Sequence, residues 1–137
     1  MNARLFVYGT LLSTACHPMG ARLRREARLV GEASLPGQLY SLGRYPGLVE
    51  APHIQSPTQN LVYGELYALA TPAVTLRWLD AYEGIVPHKP DRSPYARVQR
   101  PVRLPSGGTV GAWVYVYLKS ARGRPVVPGG RWLPPQV

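Results

Sequence analysis

Tyr95-Ala-Arg97-Val-Gln-Arg-Pro-Val-Arg-Leu104, Ser106-Gly107-Gly108 and Thr109-Val-Gly-Ala112-Trp113-Val-Tyr115-Val-Tyr117-Leu118 form the stretch that decides the fold. The second run is rich in β-branched and aromatic residues, and Ser-Gly-Gly supplies a tight turn. Residues 95–104 and 109–118 are therefore predicted as the two arms of a hairpin. Upstream, Leu61 to Leu69 is a strand whose second half alternates with period two. Arg4 to Tyr8 is a buried first strand, broken by Gly9 and Thr10. Ala27 to Leu35 and Gln38 to Leu42 are expected as two strands joined by Pro36-Gly37, and Gly43 to Glu50 as a turn with a short strand.

Helices are fewer. Thr71-Pro72 opens one, with Thr71 as N-cap and proline at the first helical position. Val74, Trp78 and Tyr82 then fall four apart on one face with Leu79 beside them, and Gly84 is placed to end the helix in a left-handed conformation. A second helix is expected within Leu11 to Leu23, capped by Ser13 or Thr14, with Pro18 limiting its start. Ala51 to Gln59 and Ile85 to Pro94 read as loops, and Trp132 in the turn-like tail is expected to pack back on the body. Strands joined by tight turns favour antiparallel pairing. The expected class is α+β: one domain over residues 1–137, a small, mostly antiparallel β-barrel carrying one or two helices.

Composition narrows the function classes. A chain of 137 residues, 45% of them apolar, builds one core without staples. The single cysteine, Cys16, excludes an internal disulfide, and the three histidines lie too far apart for a zinc-ligand pattern. The N-terminal run lacks the layout of a signal peptide and no stretch suits a membrane helix, which points to the cytoplasm and no membrane partner. The net charge is +9, and arginine supplies fourteen of the 16 basic residues. Arg22, Arg24, Arg25 and Arg28 cluster, but without a nucleic-acid recognition motif. A nucleic acid is thus the less favoured partner, and a basic surface would equally attract small carboxylates. No pattern fixes an oligomeric state.

Two places can carry chemistry. After the first strand, Tyr8-Gly9-Thr10-Leu11-Leu12 is either an ordinary turn or a loop whose free N–H groups, with the Thr10 hydroxyl, hold an anion. In Leu79-Asp80-Ala81-Tyr82-Glu83-Gly84 a carboxylate stands at the carbonyl end of a helix, an unfavourable position. Glu83 is there either a solvated residue at a frayed end or a desolvated acid poised to act as a base near neutral pH. Glu26 and Glu32 are expected in surface pairs with arginines, and Glu50 and Asp91 in loops. Asp80 either raises the pKa of Glu83 or accepts hydrogen bonds within the fold. Cys16 and His17 are adjacent and poorly placed as a nucleophile–base pair. No Gly-x-Ser-x-Gly elbow or phosphate loop occurs.

The order of motifs resembles the γ-glutamylcyclotransferase-like superfamily, in its AIG2-like branch. The carriers are Leu5-Phe6-Val7-Tyr8-Gly9-Thr10-Leu11, Gly37-Gln38-Leu39-Tyr40 with Tyr45-Pro46-Gly47, Val62-Tyr63-Gly64-Glu65-Leu66-Tyr67, Leu79 to Gly84, Tyr95 with Arg97, and Ala112 to Tyr117. Gly130-Arg131-Trp132 matches a terminal Gly-x-Trp, with arginine where aspartate is common. The resemblance implies an enzyme that cyclises a γ-glutamyl group to 5-oxoproline and releases an amine, with Glu83 moving the proton, a small γ-glutamyl substrate as partner and no cofactor or metal. It implies substrate contacts from Tyr8, Gly9, Thr10 and Leu11, with Tyr117 as an added hydroxyl and Arg97 either as a carboxylate partner or in a barrel ion pair with Asp80 or Glu83. The alternatives are a non-catalytic small-molecule binding module on the same barrel and a basic interaction protein using Arg22–Arg28.

Overall fold

A computed structural model describes residues 2–50, 60–86, 88–89 and 92–133. The Ala51–Gln59 loop lies outside the described residues, as do parts of the loop after Ile85. Six strands appear in chain order: β1 (Arg4–Val7), β2 (Ala27–Ser41), β3 (Pro46–Glu50), β4 (Leu61–Leu69), β5 (Tyr95–Arg103) and β6 (Thr109–Tyr117). Two helices, α1 (Pro18–Glu26) and α2 (Pro72–Tyr82), pack on them. The sheet order is β3-β2-β4-β1-β6-β5, and a further pairing of β2 with β5 closes five strands into a barrel with β3 attached outside it. The closure rests on one residue pair, Ser34 of β2 opposite Arg103 of β5. One contact is parallel, β1 on β6; the other pairings are antiparallel, as the sequence predicts.

The hairpin read from the sequence is the β5–β6 pair, in register from Tyr95 opposite Tyr117 to Arg103 opposite Thr109. Three expectations are corrected. Pro36-Gly37 is not a turn: β2 runs unbroken for 15 residues. Residues up to Pro36 pair with β4 and those from Gly37 pair with β3. The proline, which has no N–H to offer, thus stands where one ladder ends and the next begins. The first helix begins at Pro18, capped by His17, whose Nδ1 accepts from the Met19 N–H at 3.1 Å; Ser13 and Thr14 lie in a separate 3-10 turn. In α2 the buried positions are Thr75, Leu76 and Leu79, while Val74 is 54% exposed. Thr71 makes no side-chain cap, but Gly84 does end the helix with φ 77°.

Side chains alternate across β1. Phe6 joins Leu39, Leu48, Val62, Leu66 and Val114 in one apolar cluster. Leu5 and Val7 join Tyr67, Leu23 of α1 and Leu76 and Leu79 of α2 in another. With both faces covered, β1 reads as an uninterrupted apolar run. Trp132 packs against both clusters, as expected of the tail.

Glu26 does more than pair with Arg22: it also accepts from the Thr75 hydroxyl (2.6 Å) and the Trp78 indole (2.9 Å), tying α1 to α2. These donors hold its pKa below the usual value. Glu32 makes the expected exposed pair, with Arg131. Glu50 lies on β3, not in a loop, and pairs with Arg100. Arg22 stacks on Trp78 and Nη1 of Arg24 is buried, so half of the Arg22–Arg28 cluster is drawn into the fold. No described helix is long and apolar enough to cross a membrane.

Gly64 lies where β4 meets β1, and a Cβ there would collide with the Val7 carbonyl oxygen and the Phe6 ring. Gly64→Ala is expected to destabilise the fold by about 1–3 kcal/mol or more, the usual cost of overpacking. Gly108→Ala, in open space, should change the melting temperature little. Equal melting temperatures for the two variants in thermal denaturation would contradict the close approach.

Candidate active site

β1 ends at Val7 and the chain turns over the barrel mouth. Gly9 is needed here because a Cβ would sit 2.8 Å from the Pro46 ring. The Leu12 N–H closes the turn on the Gly9 carbonyl (3.0 Å). The N–H groups of Gly9, Thr10 and Leu11 donate to no other described residue. The loop is fixed at two points. The Thr10 hydroxyl shares a 2.7 Å hydrogen bond with the Tyr82 hydroxyl on α2. Glu65 of β4 grips Ser13 twice, accepting from its N–H (2.7 Å) and its hydroxyl (2.5 Å). These contacts hold the loop without using the N–H groups of Gly9, Thr10 or Leu11.

Glu83 caps the C-terminus of α2, its N–H bonded to the Leu79 carbonyl at 2.8 Å. Its half-buried side chain faces a cavity, and no described residue donates a hydrogen bond to its carboxylate. Burial first, and the nearby Asp80 charge second, raise its pKa to about 7. Asp80 is placed differently. Arg97 donates to it through Nε (2.8 Å) and Nη2 (3.2 Å), and Tyr115 through its hydroxyl (2.6 Å).

The cavity, of about 640 Å³, lies between the Tyr8–Leu11 loop, the end of α2 and the turn before β3. Its described walls include Phe6 and five tyrosines and contain no serine, cysteine or lysine. Charge enters through Glu83 and Arg44. The wall phenols are mostly committed. Tyr8 donates to the Tyr115 carbonyl (2.6 Å) and accepts from the Leu48 N–H (3.3 Å), and Tyr95 donates to the Pro46 carbonyl (2.7 Å). Burial raises the pKa of Tyr8, Tyr95 and Tyr115 well above the ordinary phenol value, so they remain neutral donors. His17 also lines the wall. Its Nδ1 accepts from the Met19 N–H, which assigns the proton of the neutral ring to Nε2. Among the described residues, no three His, Cys, Asp or Glu side chains converge as metal ligands.

Glu83, Tyr8, Gly9, Thr10 and Leu11, separated by up to 75 positions in the chain, thus face one cavity. The structure does not bring Arg97 and Tyr117 to it. Arg97 is held by Asp80 and stacks over Trp113 at 4.3 Å. Tyr117 faces a second cavity, beside Tyr40 and Val49. His17 and Arg44 escape the sequence reading because no motif marks them. His17 reaches the wall only because α1 starts at Pro18, and Arg44 only because β2 and β3 pair.

The family described as gamma-glutamyl cyclotransferase, AIG2-like, matches residues 5–134. The chain is 35% identical over 132 residues to the gamma-glutamylcyclotransferase family protein YtfP of Escherichia coli, covering 95% of this chain and 96% of that protein. The solution structure of E. coli ytfP superposes with a TM-score of 0.62 over 95% of this chain and 96% of that one. An AIG2-like protein of Mus musculus, 22% identical, shares the fold with a TM-score of 0.67, covering 98% of this chain and 96% of that one. The chain belongs to the AIG2-like γ-glutamylcyclotransferase family.

Proposed function

We propose that the protein cyclises a γ-glutamyl compound to 5-oxoproline with release of an amine, using Glu83 as the proton carrier. The observation that carries this reading is a carboxylate with no donor among the described residues, raised to a pKa of about 7, facing a cavity also lined by Gly9, Thr10 and Leu11, whose N–H groups donate to no described residue. In this reaction the α-amine of the substrate attacks its own γ-carbonyl. Glu83 takes the amine proton as the C–N bond forms, then passes it to the leaving nitrogen as the amide bond breaks. The free N–H groups of Gly9, Thr10 and Leu11 hold the substrate carboxylate or the developing oxyanion. A substrate that carries its own nucleophile suits described walls without serine, cysteine or lysine. The cavity's part is orientation, worth up to roughly 7–11 kcal/mol in well-aligned intramolecular reactions.

Glu83→Gln is expected to lower 5-oxoproline release from a panel of γ-glutamyl compounds by about 10²–10⁴-fold, the usual weight of a general base. Undiminished release by this variant would remove Glu83 from the reaction. Tight binding of the panel by the native protein without turnover would make it a binding module.

The pH dependence gives a second check. Activity of the native protein should fall as pH drops through about 7, because the base is then protonated. Asp80→Asn deletes the charge that helps to raise this pKa, so the acid limb should move to lower pH. A limb that stays in place would refute the coupling. Stability supplies a third. Folded Glu83 binds its proton more tightly than at the ordinary value of 4.5, so ionisation works against folding as pH rises from 4.5 to about 7. The stability of Glu83→Gln relative to the native protein should therefore increase across that window by roughly 1–3 kcal/mol. A constant difference in denaturant titrations at pH 4.5 and pH 8 would contradict it.

A further inference from the structure

The turn between β2 and β3 places a cation over the cavity that the chemistry above does not use. The Leu42 N–H donates to the Tyr45 carbonyl (2.9 Å) and the Gly43 N–H to the Ser41 hydroxyl (3.3 Å), closing the turn on itself. Gly43 has φ 111°, where a side chain would be strained. Pro46, at the end of the turn, is held through its carbonyl by the buried Tyr95 hydroxyl. Arg44 and Tyr45 stand on this fixed turn, both exposed and both on the cavity wall. The ion pairs among the described residues use Arg22, Arg97, Arg100 and Arg131, so Arg44 has no carboxylate partner there. Nor does it serve Glu83, whose raised pKa no cation offsets. The half-buried side of the cavity thus holds the proton carrier, and the exposed rim holds an uncommitted guanidinium.

This arrangement has a consequence for the leaving group, which rests on the γ-glutamyl reading. With the γ-carbonyl at Glu83 and the α-carboxylate on the loop N–H groups, the part beyond the scissile amide extends toward the open rim. We propose that Arg44 is a specificity-determining residue that binds a carboxylate on the departing amine. The protein then prefers γ-glutamyl compounds that release an amino acid or a peptide over those that release a neutral or cationic amine. The guanidinium fork matches a carboxylate with two parallel N–H···O bonds, a match that lysine reproduces only in part.

The test compares γ-glutamylalanine with γ-glutamylalaninamide, two substrates of one shape that differ in the leaving-group charge. Charge-assisted hydrogen bonds correspond to about 10–100-fold, and an exposed site belongs at the lower end. Arg44→Ala should lose about 10-fold in kcat/KM on the carboxylate and less than about 3-fold on the amide. Arg44→Lys should restore part of the difference. Equal losses on both substrates would place Arg44 on the γ-glutamyl portion or in the turn alone and overturn the proposal, as would no loss on either. Calorimetric binding separates this from the reaction itself. If neither compound is turned over but the native protein binds the carboxylate tighter and Arg44→Ala abolishes that preference, the cyclisation reading fails and the role of Arg44 stands. If neither turnover nor binding distinguishes the two compounds, the role of Arg44 falls.

Discussion

The site depends on how Asp80 is held. Arg97 on β5 and Tyr115 on β6 both donate to this one carboxylate, fastening the last turns of α2 to the barrel's hairpin. Residues three apart on a helix share a side, so fixing Asp80 also fixes where Glu83 stands. The two acids then live in different surroundings. Asp80 collects three hydrogen bonds, and Glu83 receives none from the described residues. A carboxylate without donors, partly buried and beside another negative charge, keeps its proton to a higher pH. Two acids pushed toward different behaviour by their environments are a recurrent way to divide a structural from a chemical task.

The tyrosines around the cavity follow the same division. Their hydroxyls suggest a catalytic wall, yet those of Tyr8 and Tyr95 are spent on the backbone. Tyr8 links β6 to β3 through the Tyr115 carbonyl and the Leu48 N–H, and Tyr95 fixes Pro46 at the start of β3. A buried hydroxyl left without a partner costs about 1–3 kcal/mol, so these commitments are what a stable wall requires. They also hold the turn that presents Arg44 and bring Pro46 against Gly9. The rim and the loop are thereby joined in one mouth.

Much of this was legible in the sequence where local rules and long-range structure agree. The β5–β6 hairpin, the β4 strand and the Pro72-to-Gly84 helix each carry a period, a turn or a cap that depends on neighbouring residues alone. Pro36-Gly37 misled for the same reason. Its composition signals a turn, but the chain runs straight because two different strands pair with it on either side, and pairing is not a local property. Glu83 stood out through its helix-end position, while its solvent exposure was open until the fold supplied the cavity. Asp80 and Arg97 lie 17 residues apart; the sequence leaves Asp80 and Glu83 both open as the acid partner of Arg97, and the fold selects Asp80. Nothing in either segment specifies the meeting of Glu65 and Ser13, 52 residues apart, whose contact shapes the loop.

The loop and the acid share one property that the rest of the fold avoids. Native structures satisfy nearly all their buried polar groups, and unsatisfied ones call for an explanation. Here Gly9, Thr10 and Leu11, whose N–H groups find no acceptor among the described residues, line the same cavity as Glu83, whose carboxylate finds no donor among them. They do not satisfy one another, because the loop is pinned to Tyr82 through Thr10 and to Glu65 through Ser13. Those anchors prevent the collapse that would quench both groups. A substrate bearing an anion for the loop and an amine proton for the acid would complete both at once. Under the proposed reaction, the fold's contribution is therefore to keep the two apart until such a molecule enters.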